Sequence, residues 1–334
     1  MGKPFIIPVS LVPVIELKID YGLQIEPQYG YEYPYLRDVA RRVEAAGFES
    51  MWASDHFLIS TDAVDVDCLE AWTLLTAIAA ETETLRVGAM VSCQNYRNPC
   101  LAAKIAASLD NISGGRLYFG VGAGWMEAEY TAYGYTFPSP GARVKQLDEA
   151  LTIAREMWTK PRADYHGKYY GVNSAVAMPK PIQDPMPVLV GGTGDNLLRV
   201  TAKHAQVANF AWNIDTKVFA ERLGVLEAHC NKLGVDYGSI RKSSGIHLAL
   251  KGVKPGTPAP YERYSGEKNW VKKTPEEAAA FINGYTDLGV SHFVVVFPYG
   301  SEAESAEYFM DKVAPLVNAP EDRERDLRPD RERP

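Results

Sequence analysis

What most constrains this chain is its rhythm: short β-rich runs alternate with amphipathic helical stretches eight times. Strands are expected over residues 19–25, 50–54, 86–91, 116–121, 188–190, 206–210, 246–250 and 291–297. Helices are expected over 35–46, 69–80, 101–112, 142–158, 196–204, 217–233, 275–288 and 302–317, the first closed by Gly47. Apolar strands of this kind fit a parallel sheet covered on both faces. Eight such units predict an α/β fold, a (β/α)8 TIM barrel. A doubly wound open sheet would show fewer units and a G-x-G-x-x-G turn after its first strand, which is absent.

Two stretches break the rhythm. Residues 159–187, with "YHGKYYGV", are expected to form a hairpin or excursion inserted after the fourth βα unit. Residues 252–273, rich in Pro, Gly and Tyr, are expected to form a long loop after the seventh strand, where lids and substrate contacts are found. A single domain is expected over 19–318, flanked by an N-terminal extension, 1–18, and a disordered tail of mixed charge, 319–334.

Composition narrows the function classes. The chain of 334 residues is 46% hydrophobic with a net charge of −7, which allows ample core and gives nucleic acid no electrostatic footprint. Cys68, Cys93, Cys100 and Cys230 show neither paired nor metal-ligand spacing and read as reduced thiols. The apolar start, residues 5–17, is too short to span a membrane and is broken by Pro8 and Pro13. The expectation is a cytoplasmic protein acting on a small molecule.

In such barrels the site is built from residues at the carboxyl ends of strands. The first strand ends at Gln24 and Glu26, and the third in "MVSCQNYRNP" with Ser92, Cys93, Asn95 and Arg97. The second ends in "ASDHF", where His56 can exchange a proton near neutral pH and Asp55 is expected to orient it. The fourth ends in "GVGAGWMEAEY", whose Gly120, Gly122 and Gly124 let backbone approach a flat or phosphorylated ligand before Trp125, Glu127 and Glu129. The fifth ends in "GGTGDN": Gly191, Gly192, Thr193 and Gly194 lead into a helix whose free N–H groups form an anion site, and phosphate is expected there. Gln24 and Trp125 are the expected substrate-pocket residues. His204 and His229 fall within helices and His166 in the excursion, while His247 and His292 sit at expected strand starts, away from the mouth. With no metal-ligand cluster and no G-x-S-x-G elbow, redox chemistry would require a bound organic cofactor.

Taken in order, "YGLQIEPQ", "AAGFESMWASDHF", "LRVGAMVSCQNYRNP", "GGRLYFGVGAGWMEAEYTAYGYTFP", "PVLVGGTGDNLLRVTAKHAQVANF" and "YTDLGVSHFVVVFP" resemble the luciferase-like monooxygenase superfamily, in particular its branch associated with the deazaflavin coenzyme F420. The resemblance runs over about residues 20–317. It implies that Asp55 and His56 lie beside the cofactor ring, with His56 giving or taking a proton. Met90, Val91 and Ser92 match a bulge behind the ring that often carries a non-prolyl cis peptide. Ala123, Gly124 and Trp125 match the loop lining the ring or substrate side, and the glycine turn from Gly191 to Gly194 matches the phosphate site. The implied activity is hydride transfer between deazaflavin C5 and a small organic substrate, with a homodimer as the usual assembly. An FMN-dependent two-component monooxygenase fed by a reductase, and a flavin-binding protein without turnover, are the alternatives. Where the family's sugar-phosphate dehydrogenases carry a Glu after the last loop glycine and a Trp after the histidine, this chain has Trp125 and Ser60, which argues against sugar-phosphate oxidation. "SDHF" in place of an "EHHF" type of motif favours deazaflavin over FMN.

Overall fold

Strand β1 (Asp20–Ile25) leads through α1 (Tyr33–Ala46) to β2 (Ser50–Ala53), and α2 (Ala71–Glu81) to β3 (Arg86–Ala89) and a two-residue β4 (Ser92–Cys93). Helix α3 (Pro99–Ile112) precedes β5 (Leu117–Gly122), a short α4 (Glu127–Ala132) and α5 (Pro140–Thr159). The hairpin β6 (Ala163–His166) and β7 (Gly171–Ala175) follows, then β8 (Val188–Gly191), α6 (Asp195–His204), β9 (Val207–Phe210) and α7 (Thr216–Leu233). The chain ends through β10 (Arg241–His247), β11 (Ala249–Leu250), β12 (Lys272–Lys273), α8 (Pro275–Thr286), β13 (Val290–Val296) and α9 (Glu302–Tyr308). This computed structural model describes residues 18–254, 256, 260 and 272–319. The N-terminal extension (apart from residue 18), most of the loop 252–273, and the tail beyond residue 319 lie outside them.

The staves β1, β2, β3, β5, β8, β9, β10 and β13 are all parallel, and β13 pairs back onto β1, so the sheet closes as an eight-stranded barrel. Local signals set the helix starts. Asp215 accepts from Lys217 N and Val218 N to cap α7, and Thr274 and Glu277 form a reciprocal capping box before α8. The insertion after the fourth unit is an antiparallel hairpin, with Tyr165 opposite Val172 and His166 opposite Gly171.

Two elements depart from the expected pattern. The seventh stave runs over Arg241–His247 rather than 246–250. Its first half, with Lys242, Ser243 and Ser244, lacks the apolar run that marks a buried strand, because a polar layer packs there instead. Ser243 Oγ meets His292 Nδ1 at 2.8 Å and accepts from Asn209 Nδ2 at 2.9 Å. Burial pushes the His292 imidazole down to about 3, so it stays neutral in this layer. The last helix is also shorter than expected. After α9 the chain passes through a π-helical turn, Phe309–Val313, and a 3-10 turn, Ala314–Leu316, that contains Pro315.

One side chain fills the barrel's waist. Trp52 of β2 is fully buried, donates from Nε1 to Ser50 Oγ at 2.8 Å, and stacks on Tyr118 of β5 with centroids 5.2 Å apart. It packs with Met90, Leu189, Val207 and Val294. The neighbouring staves give way to it: a Cβ on Gly88 would lie 2.6 Å from Trp52 Cζ3. On Gly120 a Cβ would lie 1.8 Å from the Ala89 carbonyl oxygen, a collision with backbone that side-chain motion cannot relieve. Gly120→Ala is therefore expected to cost about 3 kcal/mol or more in urea unfolding. Gly141→Ala, in α5 with nothing within 4 Å of the added Cβ, is expected to be neutral or to stabilise by about 0.5–1 kcal/mol.

Candidate active site

A cavity of about 540 Å³ opens at the carboxyl end of the staves, within the range of small-molecule and cofactor sites. Of the site residues expected from sequence, Asp55, His56, Met90, Val91, Ser92, Ala123, Gly124, Trp125, Gly191 and Gly192 line it. Gln24 does not. Side chains two apart on a strand share a face, and Glu26, one pleat above Gln24, is the one that reaches the cavity. Gln24 lies buried below, its Nε2 near Glu26 Oε1 and the Met90 carbonyl, each at 3.4 Å. Thr193 and Gly194 stand beyond the lining, at the start of α6.

Asp55 and His56 do not form the expected pair. Adjacent residues leaving β2 point apart, and each finds its own partner. Asp55 takes both arms of Arg97, Nη1 to Oδ2 at 2.7 Å and Nη2 to Oδ1 at 2.9 Å. Asp55 Oδ2 also accepts from Ser92 Oγ at 2.8 Å and from Cys93 N at 3.0 Å. Arg97 reaches on to Glu70, which caps α2. This network fixes the loop carrying Ser92 and Cys93. The Met90–Val91 peptide just before that loop is cis, as the family resemblance implies.

His56 is held by Glu129, from the short helix α4. His56 Nδ1 donates to Glu129 Oε2 at 3.0 Å, the direction being set by a carboxylate that only accepts. Glu129 has no solvent exposure and also accepts from Tyr96 Oη at 2.6 Å, Phe57 N at 2.6 Å and Leu58 N at 3.3 Å. Burial alone would raise its pKa, but the bonds from His56, Tyr96 and Phe57 outweigh it and hold Glu129 below the ordinary range. Burial likewise opposes a charged His56, yet Glu129, helped by Glu26 and Asp55, lifts the imidazole above 6.5. Nε2 is the nitrogen left for whatever enters the cavity. Trp125 stands edge-on to the His56 ring, centroids 5.7 Å apart, and is 70% exposed.

Gly124 makes this corner possible. Its φ is +78°, and a Cβ there would lie 2.3 Å from Tyr130 Oη and 2.6 Å from Cys93 Sγ. Across the cavity, Trp212 stacks on His247 at 4.9 Å, and both line the wall. His247 stands at the mouth because β10 begins earlier than expected, which places its end, not its start, at this residue. Gly194 caps α6 without a side chain, so the first N–H groups of that helix keep their capacity for an anion beside Gly191 and Gly192. Among the described residues no cluster of three metal-ligating side chains occurs. No helix among them is long and apolar enough to cross a membrane.

Residues 19–252 match the family model described as luciferase-like monooxygenase. The chain belongs to that family of oxidoreductases. It is 27% identical over 316 residues to an F420-dependent glucose-6-phosphate dehydrogenase of Kineococcus radiotolerans, covering 84% of this chain and 92% of the relative. It is 25% identical to an FMNH2-dependent dimethylsulfone monooxygenase of Pseudomonas putida, covering 88% of this chain and 90% of the relative. The barrel superposes on a solved F420-dependent secondary alcohol dehydrogenase with a TM-score of 0.76 at 19% identity, over 90% of this chain and 99% of that one.

Glu129→Gln keeps the shape of the side chain and removes its charge. The His56 pKa, followed by NMR of the imidazole, is expected to fall; an unchanged value would mean that Glu129 does not set it.

Proposed function

We propose that this oxidoreductase transfers a hydride between coenzyme F420 and a small organic substrate. The observation that carries the proposal is the His56–Glu129 pair at the mouth of a cavity running along a bare-backbone wall to Gly191 and Gly192, just before α6. The wall is lean because Val91 packs against glycines: a Cβ on Gly122 or Gly191 would lie 2.7 Å from its side chain. Such a space fits a flat ring carrying a phosphate. Met90, Val91, Ser92, Ala123 and Gly124 would hold the ring, and Gly191, Gly192, Thr193 and Gly194 the phosphate.

When bound, F420 supplies two-electron hydride chemistry. The residues of the chain manage the proton and the solvent. His56 holds or releases a proton at Nε2, since Nδ1 is committed to Glu129, and the raised pKa keeps that proton available near neutral pH. Asp55, locked by Arg97, fixes the loop behind the ring. Trp125 limits water on the substrate side. Its place, and that of Ser60, sets this chain apart from the family's sugar-phosphate dehydrogenases, which supports a different substrate.

The similarity to the Pseudomonas putida monooxygenase supports a second reading, in which FMN occupies the same space. Separate titrations with F420 and FMN distinguish the two: micromolar or tighter binding of F420 and weaker binding of FMN is expected. His56→Ala is expected to keep F420 affinity while kcat falls by about 10²–10⁴-fold. A wild-type rate in that variant would remove His56 from proton transfer. Cytoplasmic residence belongs to the same proposal and is supported by four unpaired cysteines. So do a homodimer, testable by light scattering, and a reductase that recycles the cofactor.

A further inference from the structure

Glu26 follows directly on β1. The register of β1 against β2, with Ile25 opposite Ala53, brings it level with Ser54, two residues before His56. Its side chain is part of the cavity wall although the residue is only 9% exposed. Two amides hold the carboxylate in place. Gln28 Nε2 donates to Oε2 at 2.5 Å, and Gln24 Nε2 approaches Oε1 at 3.4 Å. Gln28 is itself fixed, its Oε1 accepting from Ser54 Oγ at 2.7 Å. Gln24 is 1% exposed, and its own Oε1 has no partner among the described residues. The chain thus buries an unpaired carbonyl while keeping the amide turned toward Glu26.

This carboxylate acts on His56 only through its charge, without a hydrogen bond to it, and keeps acceptor capacity beyond its two amides. Among the described residues the cavity wall carries Glu26, Asp55, His56 and, on the far side, His247 stacked on Trp212, but neither Lys nor Arg. Arg97 is committed to Asp55 and Glu70. An anion entering beside His56 would meet the charge of Glu26, while the His56 imidazolium facing it is already paired with Glu129. A molecule with an N–H or O–H donor would instead find a positioned acceptor.

We propose that Glu26 selects the substrate, admitting a neutral or cationic molecule that presents an N–H or O–H donor beside His56 and rejecting phosphate esters and carboxylates. The inference deepens the oxidoreductase reading and rests on it for the word substrate, but the binding preference is measurable on its own.

The probes are benzylamine, benzyl alcohol, benzoate and benzyl phosphate, with affinities measured near neutral pH by ligand-observed saturation-transfer NMR. Wild-type protein is expected to bind benzylamine at least about tenfold more tightly than benzoate or benzyl phosphate, with benzyl alcohol between. Glu26→Gln is expected to shrink that ratio to about threefold or less. Glu127→Gln makes the same charge change at an exposed position and is expected to leave the ratio intact. Equal binding of benzoate or benzyl phosphate to wild type, or a preference that survives Glu26→Gln, overturns the proposal. Should Glu26→Gln fail to fold, the wild-type series still decides. If neither F420 nor FMN binds in parallel titrations while the preference persists, it is the oxidoreductase reading that fails.

Discussion

The buried charge of Glu129 is the constraint on which the mouth of the barrel depends. Removing a carboxylate from water is tolerable only when its lone pairs are engaged, and four donors engage this one. They come from the loop after β2, which supplies His56, Phe57 and Leu58, and from the loop after β4, which supplies Tyr96. A six-residue helix with little stability of its own is thereby fastened to two staves. The sign of each shift defines a pH window. Glu129, held low, contributes stability above its ordinary value of 4.5 and loses it as pH falls through its folded pKa. His56, held high, contributes fully below 6.5 and loses its contribution as pH rises through its raised pKa. The pair is strongest between those limits.

Beside it stands a second ionic unit with a different task. Asp55, Arg97 and Glu70 tie the end of β2 to the loop after β4 and the start of α2. Its bidentate geometry gives direction as well as energy, which suits a group that must hold a loop rather than exchange protons. Two acid–cation units thus emerge from adjacent residues, one structural and one open to the cavity. The division follows from the partners that each side chain meets just beyond β2, Arg97 for Asp55 and Glu129 for His56.

Most of the fold was legible because eight apolar, two-face-buried strands admit few other architectures. The seventh stave was misplaced where burial is polar: Ser243 links Asn209 to His292 Nδ1, and hydrophobic periodicity has no way to register that. The error carried His247 from the mouth to the wrong end of its strand. Glu129 was visible as an acid after the glycine cluster, but nothing in its spacing tells that α4 turns it back onto His56, seventy-three residues earlier. The Asp55–His56 adjacency suggested a pair, but Arg97 takes Asp55 and Glu129 takes His56. Gln24 sat on the correct face but one pleat too deep.

The barrel also separates what must stay fixed from what is free to change. Around Trp52, a backbone collision waits at Gly120 and a side-chain clash at Gly88, and a neutral His292, bonded through Nδ1 to Ser243, sits in the buried polar layer. Substitution there is punished by overpacking or by unpaired polar groups. At the mouth the constraints thin out. Trp125 touches His56 only edge-on and stands largely in solvent, while Trp212 rests on His247. These aromatic side chains can be exchanged without disturbing either ionic unit, because neither hydrogen-bond network runs through them. Substrate choice can therefore vary at the rim while Glu129 keeps His56 in place beneath it.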